Sequence, residues 1–153
     1  CHAVVGGQAF HWFDLDRALA RFEQVLLPGG IVVAFWNLRS RVDPFNQAYE
    51  ALLRRHCSDY VSVGAEPRAR AILQRYADRE QACFPHRQVL DAAGLRGRLW
   101  SSSYVRHGVT DAEAFDADVD ALFAAHERDG TVTLLYDTHA AVLLTRPRGE
   151  PPR

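Results

Sequence analysis

The chain has no lysine and no methionine, and all 18 of its basic residues are arginine. Against 19 acidic residues they leave a formal net charge of −1, so no global field draws in nucleic acid or an anionic membrane. A start at Cys1-His2-Ala3, without Met and already strand-like at residue 2, predicts a piece of a longer protein. Cysteine is sparse as well. Cys1, Cys57 and Cys83 form an odd, unpatterned set, unlike the dense even sets of small secreted scaffolds, and this predicts a reducing cytoplasm. The longest apolar runs, such as Ile31 to Trp36, fall far short of the ~20 residues a membrane span needs. No charged-then-apolar leader opens the chain. His56-Cys57 and Cys83-x-x-His86 offer metal-ligand types but are far apart in sequence and lack zinc-finger spacing, which argues against a metal site. Ser101 to Ser103 lack the glycines of a nucleophile elbow, which argues against a serine hydrolase.

What is present is one domain's worth of ordinary globular composition, 48% hydrophobic and 24% charged. His2 to Gly6 is a short β-branched run that suits a buried parallel strand. Asp14 is placed to cap a helix whose apolar residues Leu15, Ala18, Leu19, Phe22 and Leu26 share one stripe. Pro28-Gly29-Gly30 stops that helix, and Ile31 to Trp36 reads as a second buried strand, completing a βαβ unit. Asp43-Pro44 opens a helix with Phe45, Tyr49, Leu52 and Leu53 on its apolar stripe. A polar stretch around 58–66 follows, then a helix from about Pro67 with Ile72, Leu73 and Tyr76. These two helices, with no strand between them, read as an insertion covering something. A short helix ending at Gly94, a strand over Leu95 to Arg106, and a helix behind Thr110-Asp111-Ala112-Glu113 with Phe115, Val119, Leu122 and Phe123 come next. Thr131 to Arg146 is the final strand. Alternating strands and helices of this kind predict an α/β fold.

The informative stretch is Gly6-Gly7-Gln8-Ala9-Phe10-His11-Trp12-Phe13-Asp14, directly after a strand and before a helix. Open α/β folds bind ligands at that end of the sheet. Glycine admits a flat ligand, Trp12 offers a stacking face, and Gln8 and His11 can hydrogen-bond. The same residues also read as a turn with two ordinary core aromatics. The arginines at 68, 70, 75 and 79 read as a solvated helix face, with room for one of them to meet an acidic substrate.

Val4-Val5-Gly6-Gly7-Gln8-Ala9-Phe10-His11-Trp12, then Leu26-Leu27-Pro28-Gly29-Gly30, then Trp36-Asn37-Leu38-Arg39, resembles the class I S-adenosylmethionine-dependent methyltransferases. More narrowly it is similar to the UbiE/type-11-like branch with trans-aconitate methyltransferase relatives. The resemblance implies a Rossmann-like methyltransferase sheet of which residues 1–148 supply strands four to seven with flanking helices, the last strand antiparallel. Residues 149–153 are left as a disordered tail. It departs from the family in carrying His2 where an acidic residue is usual. The glycine-rich turn and acidic residue that hold most of the cofactor in the family would lie upstream.

Carried onto this chain, the resemblance implies that Gly7, Gln8, Ala9, His11 and Trp12 line the S-adenosylmethionine site. His11 is the candidate base or orienter, and a structural hydrogen-bonding role stays open for it. Trp36, Asn37, Arg39 and Tyr60 are implied to face a small-molecule methyl acceptor. Trp36 as core and Arg39 as a solvated loop charge are the alternatives. The expected activity is methyl transfer by the full-length protein, the fragment alone being inactive. A non-catalytic remnant of the fold, or another nucleotide-binding α/β enzyme such as a dehydrogenase, are the competing expectations. The acceptor, its reacting atom and the oligomeric state are not legible.

Overall fold

A computed structural model describes residues 1–57, 60 and 65–149. Its strands are β1 (Ala3–Gly7), β2 (Ile31–Arg39), β3 (Gln81–Leu90) and β4 (Val132–Thr145). Its helices are α1 (Leu15–Val25), α2 (Pro44–His56), α3 (Ala65–Arg75), α4 (Ala92–Trp100), α5 (Ser103–Gly108) and α6 (Ala112–His126), with a 3-10 turn at Phe10–Trp12. The sheet order is β1-β2-β4-β3. β1 and β2 are parallel, from Ala3↔Ile31 to Gly7↔Phe35, and α1 links them as the expected βαβ unit. β4 runs antiparallel to β2, since Gly30 bonds Arg146 at one end and Ser40 bonds Leu135 at the other.

Local chemistry explains most boundaries. The Asp14, Asp43 and Asp111 carboxylates accept from the backbone N–H groups of Arg17, Asn46 and Ala114, satisfying donors that the first helical turns of α1, α2 and α6 leave unpaired. At the last of these, Asp111 rather than Thr110 is the cap. Gly29, after α1, sits at φ 79, a left-handed conformation that suits glycine.

One part of the predicted order is corrected. The strand lies at Gln81–Leu90, and 95–106 is helical, divided between α4 and α5. Asp91 caps α4 through the Gly94 N–H at 2.7 Å, and Leu95 and Leu99 bury themselves one turn apart. The apparent alternation through Leu99, Ser101, Ser103 and Val105 is therefore incidental. Pro85 is tolerated inside β3 because that strand is an edge, where a missing N–H breaks no ladder on its open side.

The chain divides into two units, each built on its own core. The first takes Cys1–Leu38, Ala65–Phe84 and Asp137–Arg153, and the second Arg39–Gly64 and Pro85–Tyr136. Phe10, Leu26, Val32, Trp36 and Leu143 are buried together in the first. Tyr49, Leu53, Leu95, Phe115 and Leu134 are buried together in the second. Each fully buried Leu or Phe contributes about 1.5–3 kcal/mol from apolar burial. Much of the polar stretch at 58–66, and the tail beyond residue 149, lie outside the described residues. Among the described residues, no helix is long and apolar enough to cross a membrane.

Candidate functional site

β1 delivers the chain to the carboxyl end of the parallel pair, where Gln8 N–H donates to the Phe35 carbonyl at 2.9 Å. Gln8 then turns the backbone at φ 54, in the left-handed region that non-glycine residues seldom occupy. Such a conformation persists only where its surroundings hold it, and it is a feature of ligand-binding turns. The Gln8 side chain reaches the Asn37 carbonyl at 3.4 Å, and the Asn37 Oδ1 accepts from the Thr138 hydroxyl at 2.8 Å. Gln8 and Asn37 are thereby brought side by side, both exposed.

The glycines before the turn serve packing. A Cβ on Gly6 would lie 2.3 Å from the buried Phe10 ring, and one on Gly7 would lie 2.4 Å from the Phe35 ring. Their bare Cα positions are filled by the chain's own aromatics. Ala9, half-buried, begins the 3-10 turn by accepting from Trp12 N–H at 3.0 Å.

Within that turn His11 points inward and Trp12 outward. Trp36 is fully buried, and its indole N–H donates to His11 Nδ1 at 3.3 Å. An indole N–H cannot accept, so Nδ1 must carry the lone pair and Nε2 the proton. Burial holds the His11 pKa below its ordinary value, and the Arg68 cation pushes the same way. His11 is thus a neutral ring presenting an N–H donor.

Trp12 and Phe13 are exposed, and α3 lies across from them. The Arg68 guanidinium sits 5.8 Å from the centre of the Trp12 ring. Together with Phe10, His11 and Ile72 these groups line a pocket of about 470 Å³, with Arg75 on its wall. Arg75 is paired with Asp16 at 2.5 Å, whereas Arg68 makes no ion pair among the described residues. Arg68 is the site residue that the sequence pattern left on a solvated face. Only the packing of α3 against the 3-10 turn reveals its place.

Of the four residues expected to face substrate, only Asn37 is exposed. Trp36 is core, the alternative left open by the sequence. Arg39 and Tyr60 belong to the second unit. There the Arg39 Nε meets Glu50 Oε1 at 2.5 Å, its Nη2 donates to the Tyr60 hydroxyl, and that hydroxyl donates to Glu50 at 2.7 Å. Burial alone would lower the Arg39 pKa, but Tyr60 and Glu50 outweigh it and raise it. Arg39 is therefore a fixed, paired cation and no free loop charge. Cys83 faces His139, at 3.8 Å, and not His86.

No family model matches the chain. An uncharacterized methyltransferase of Schizosaccharomyces pombe is 36% identical over 52 residues, 34% of this chain and 21% of that protein. A solved structure from Anaeromyxobacter dehalogenans, assigned provisionally as a type II methyltransferase, superposes with a TM-score of 0.61 at 21% identity. That match covers 95% of this chain and 65% of the other. A Bacillus halodurans structure of similar assignment matches more loosely, with a TM-score of 0.43 at 11% identity, over 95% of this chain and 70% of its own. The chain shares the α/β fold of the Anaeromyxobacter structure. It spans about two thirds of the Anaeromyxobacter structure and about a fifth of the yeast relative.

Proposed function

We propose that this chain is the C-terminal part of an S-adenosylmethionine-dependent methyltransferase domain acting on a small-molecule acceptor. The observation that carries the reading is the turn from Gly7 to Trp12. It leaves a parallel strand at its carboxyl end, turns at Gln8 in a left-handed backbone conformation, and brings Phe10, His11 and Trp12 to the wall of a pocket, with Gly7, Gln8 and Ala9 outside its lining. That is where open α/β sheets take their ligands.

The residues fit one end of the proposed cofactor. Arg68 offers a cation for a carboxylate, and the exposed face of Trp12 offers a surface for a cationic or flat group. No carboxylate lines the pocket among the described residues, so no acidic side chain there accepts from ribose hydroxyls. That share of the binding falls to the part of the domain that the structural neighbour has and this chain does not span. When bound, S-adenosylmethionine supplies a methyl group already activated by its sulfonium, so the protein's task is alignment.

The chain's own groups are suited to alignment. Trp36 fixes the His11 ring, leaving Nε2–H to donate to an acceptor or cofactor oxygen. In this tautomer His11 has no lone pair free at Nε2, which makes it an orienting donor and not a general base. Thr138 holds the Asn37 amide at the strand end beside Gln8.

The test uses the intact protein containing this chain, with labelled S-adenosylmethionine and a pool of small molecules. His11→Asn keeps an acceptor for Trp36 while removing the Nε2 donor, and Asn37→Ala removes the exposed amide. Each is expected to lower turnover by up to about a hundredfold, the scale of a misaligned reaction, while thermal stability changes little. Equal losses of turnover and stability would reduce both residues to packing. An intact protein that neither transfers methyl groups nor binds S-adenosylhomocysteine would overturn the function.

A further inference from the structure

Cys83 and His139 form a nucleophile–base pair that methyl transfer leaves unused. Both lie in the first unit. Cys83 is exposed on β3, and its Sγ stands 3.8 Å from Nε2 of His139 on the neighbouring strand β4, within reach of a sulfur hydrogen bond. The sheet itself sets this meeting. Val142 N–H donates to the Glu80 carbonyl at 2.9 Å, so counting forward from Glu80 and back from Val142 brings Cys83 opposite His139. Directly opposite side chains of an antiparallel pair share one face, with their Cβ atoms about 5 Å apart. Gln81 anchors this end of β3, its Nε2 donating to the Leu73 and Tyr76 carbonyls at 2.8 Å. β3 is the last strand of the sheet, and Ala82 and Phe84 on either side of the thiol are exposed. The three cysteines are free, and Cys57 is buried. Among the described residues no group of three or more histidine, cysteine or acidic side chains could hold a metal ion. The chemistry open to the pair is that of a thiol beside a base.

We propose that Cys83 is a site of reversible S-thiolation by a small disulfide of the glutathione type, with His139 as its base. The thiolate is the nucleophile, and a neutral imidazole with a bare Nε2 takes the thiol proton. The Sγ proton passes to His139 Nε2 as Sγ attacks one sulfur of the disulfide. The new Sγ–S bond forms while the disulfide S–S bond breaks, and the departing sulfur leaves with the imidazolium proton as a thiol. Cys83 is oxidised to the mixed disulfide and the released sulfur is reduced. A second thiol reverses the exchange. This site stands apart from the methyl-transfer reading and does not rest on it.

The intact protein containing this chain is incubated with oxidised glutathione at neutral pH, and uptake at each cysteine is followed by peptide mass spectrometry. Cys83 is expected to be thiolated at least about tenfold faster than in His139→Gln, which keeps a polar side chain and removes the base. Cys57 stays unmodified while the protein is folded, the rate at Cys1 is the same in both proteins, and dithiothreitol restores the Cys83 thiol. Unfolding in urea parts the two strands, so the Cys83 rate should fall there even though access improves. A thiol that is exposed and unassisted would react at least as fast unfolded as folded. The urea comparison uses the unaltered protein and decides the matter should His139→Gln fail to fold. Equal Cys83 rates in the two folded proteins, or a Cys83 rate that does not fall in urea, overturns the proposal.

Discussion

His11 is held by a donor that cannot reverse its role. The Trp36 indole N–H fixes the ring's lone pair at Nδ1, and a second proton there would meet that N–H head on. Burial and Arg68 both oppose the charged form, so the folded pKa lies below the unfolded value of 6.5. Between those two values the unfolded chain binds the proton more readily, which makes stability rise with pH. The stabilisation is complete above about pH 6.5 and is lost as pH falls through the window beneath it. We therefore expect the melting temperature to fall as pH is lowered below about 6.5, and to fall less in His11→Asn. Parallel profiles for the two proteins would show that the other histidines carry the dependence. A turn from Gly7 to Trp12, directly after a strand and before a helix, was legible in the sequence. The direction of each side chain was not, because the three residues of one 3-10 turn each point a different way and repeat no face that a sequence pattern could show.

At the scale of elements, Asn46 ties α2 to β4. Its Nδ2 donates to the Ser40 and Leu135 carbonyls at 3.0 and 2.6 Å, and its Oδ1 accepts from Leu135 N–H at 3.2 Å. The side chain imitates a strand partner for Leu135 and is fully buried. Asn46→Ala leaves three backbone groups without it and should cost about 3 kcal/mol in urea unfolding. Neighbouring Gln47, exposed and making one bond to the Arg41 carbonyl, should cost no more than about 1 kcal/mol. A loss at Asn46 no larger than at Gln47 would sink this account. Helices α1, α2 and α6 were legible because each starts at an Asp cap and carries an apolar stripe. β3 was not, since most of its residues are exposed and show no period of two. α4 hid behind Gly94, which read as the end of a helix, although its N–H is the one that Asp91 caps.

For the whole molecule, the pocket proposed for the cofactor offers Arg68 and an aromatic face and no lining carboxylate among the described residues. The 153-residue chain alone should therefore bind S-adenosylmethionine far more weakly than the intact protein, and catalyse nothing. Submicromolar affinity in calorimetry of the isolated chain, at least about 8 kcal/mol of binding, is the result that contradicts this. The division into two cores could not be read from the sequence, because neither is a continuous stretch. The chain crosses between them at 38/39, 64/65, 84/85 and 136/137, and all but the second of these crossings lie within its strands. No single protease cut can then release either unit as an independent fragment. A chain nicked once would separate into two bands under denaturing conditions, while in native buffer its pieces would remain held by the core they jointly build.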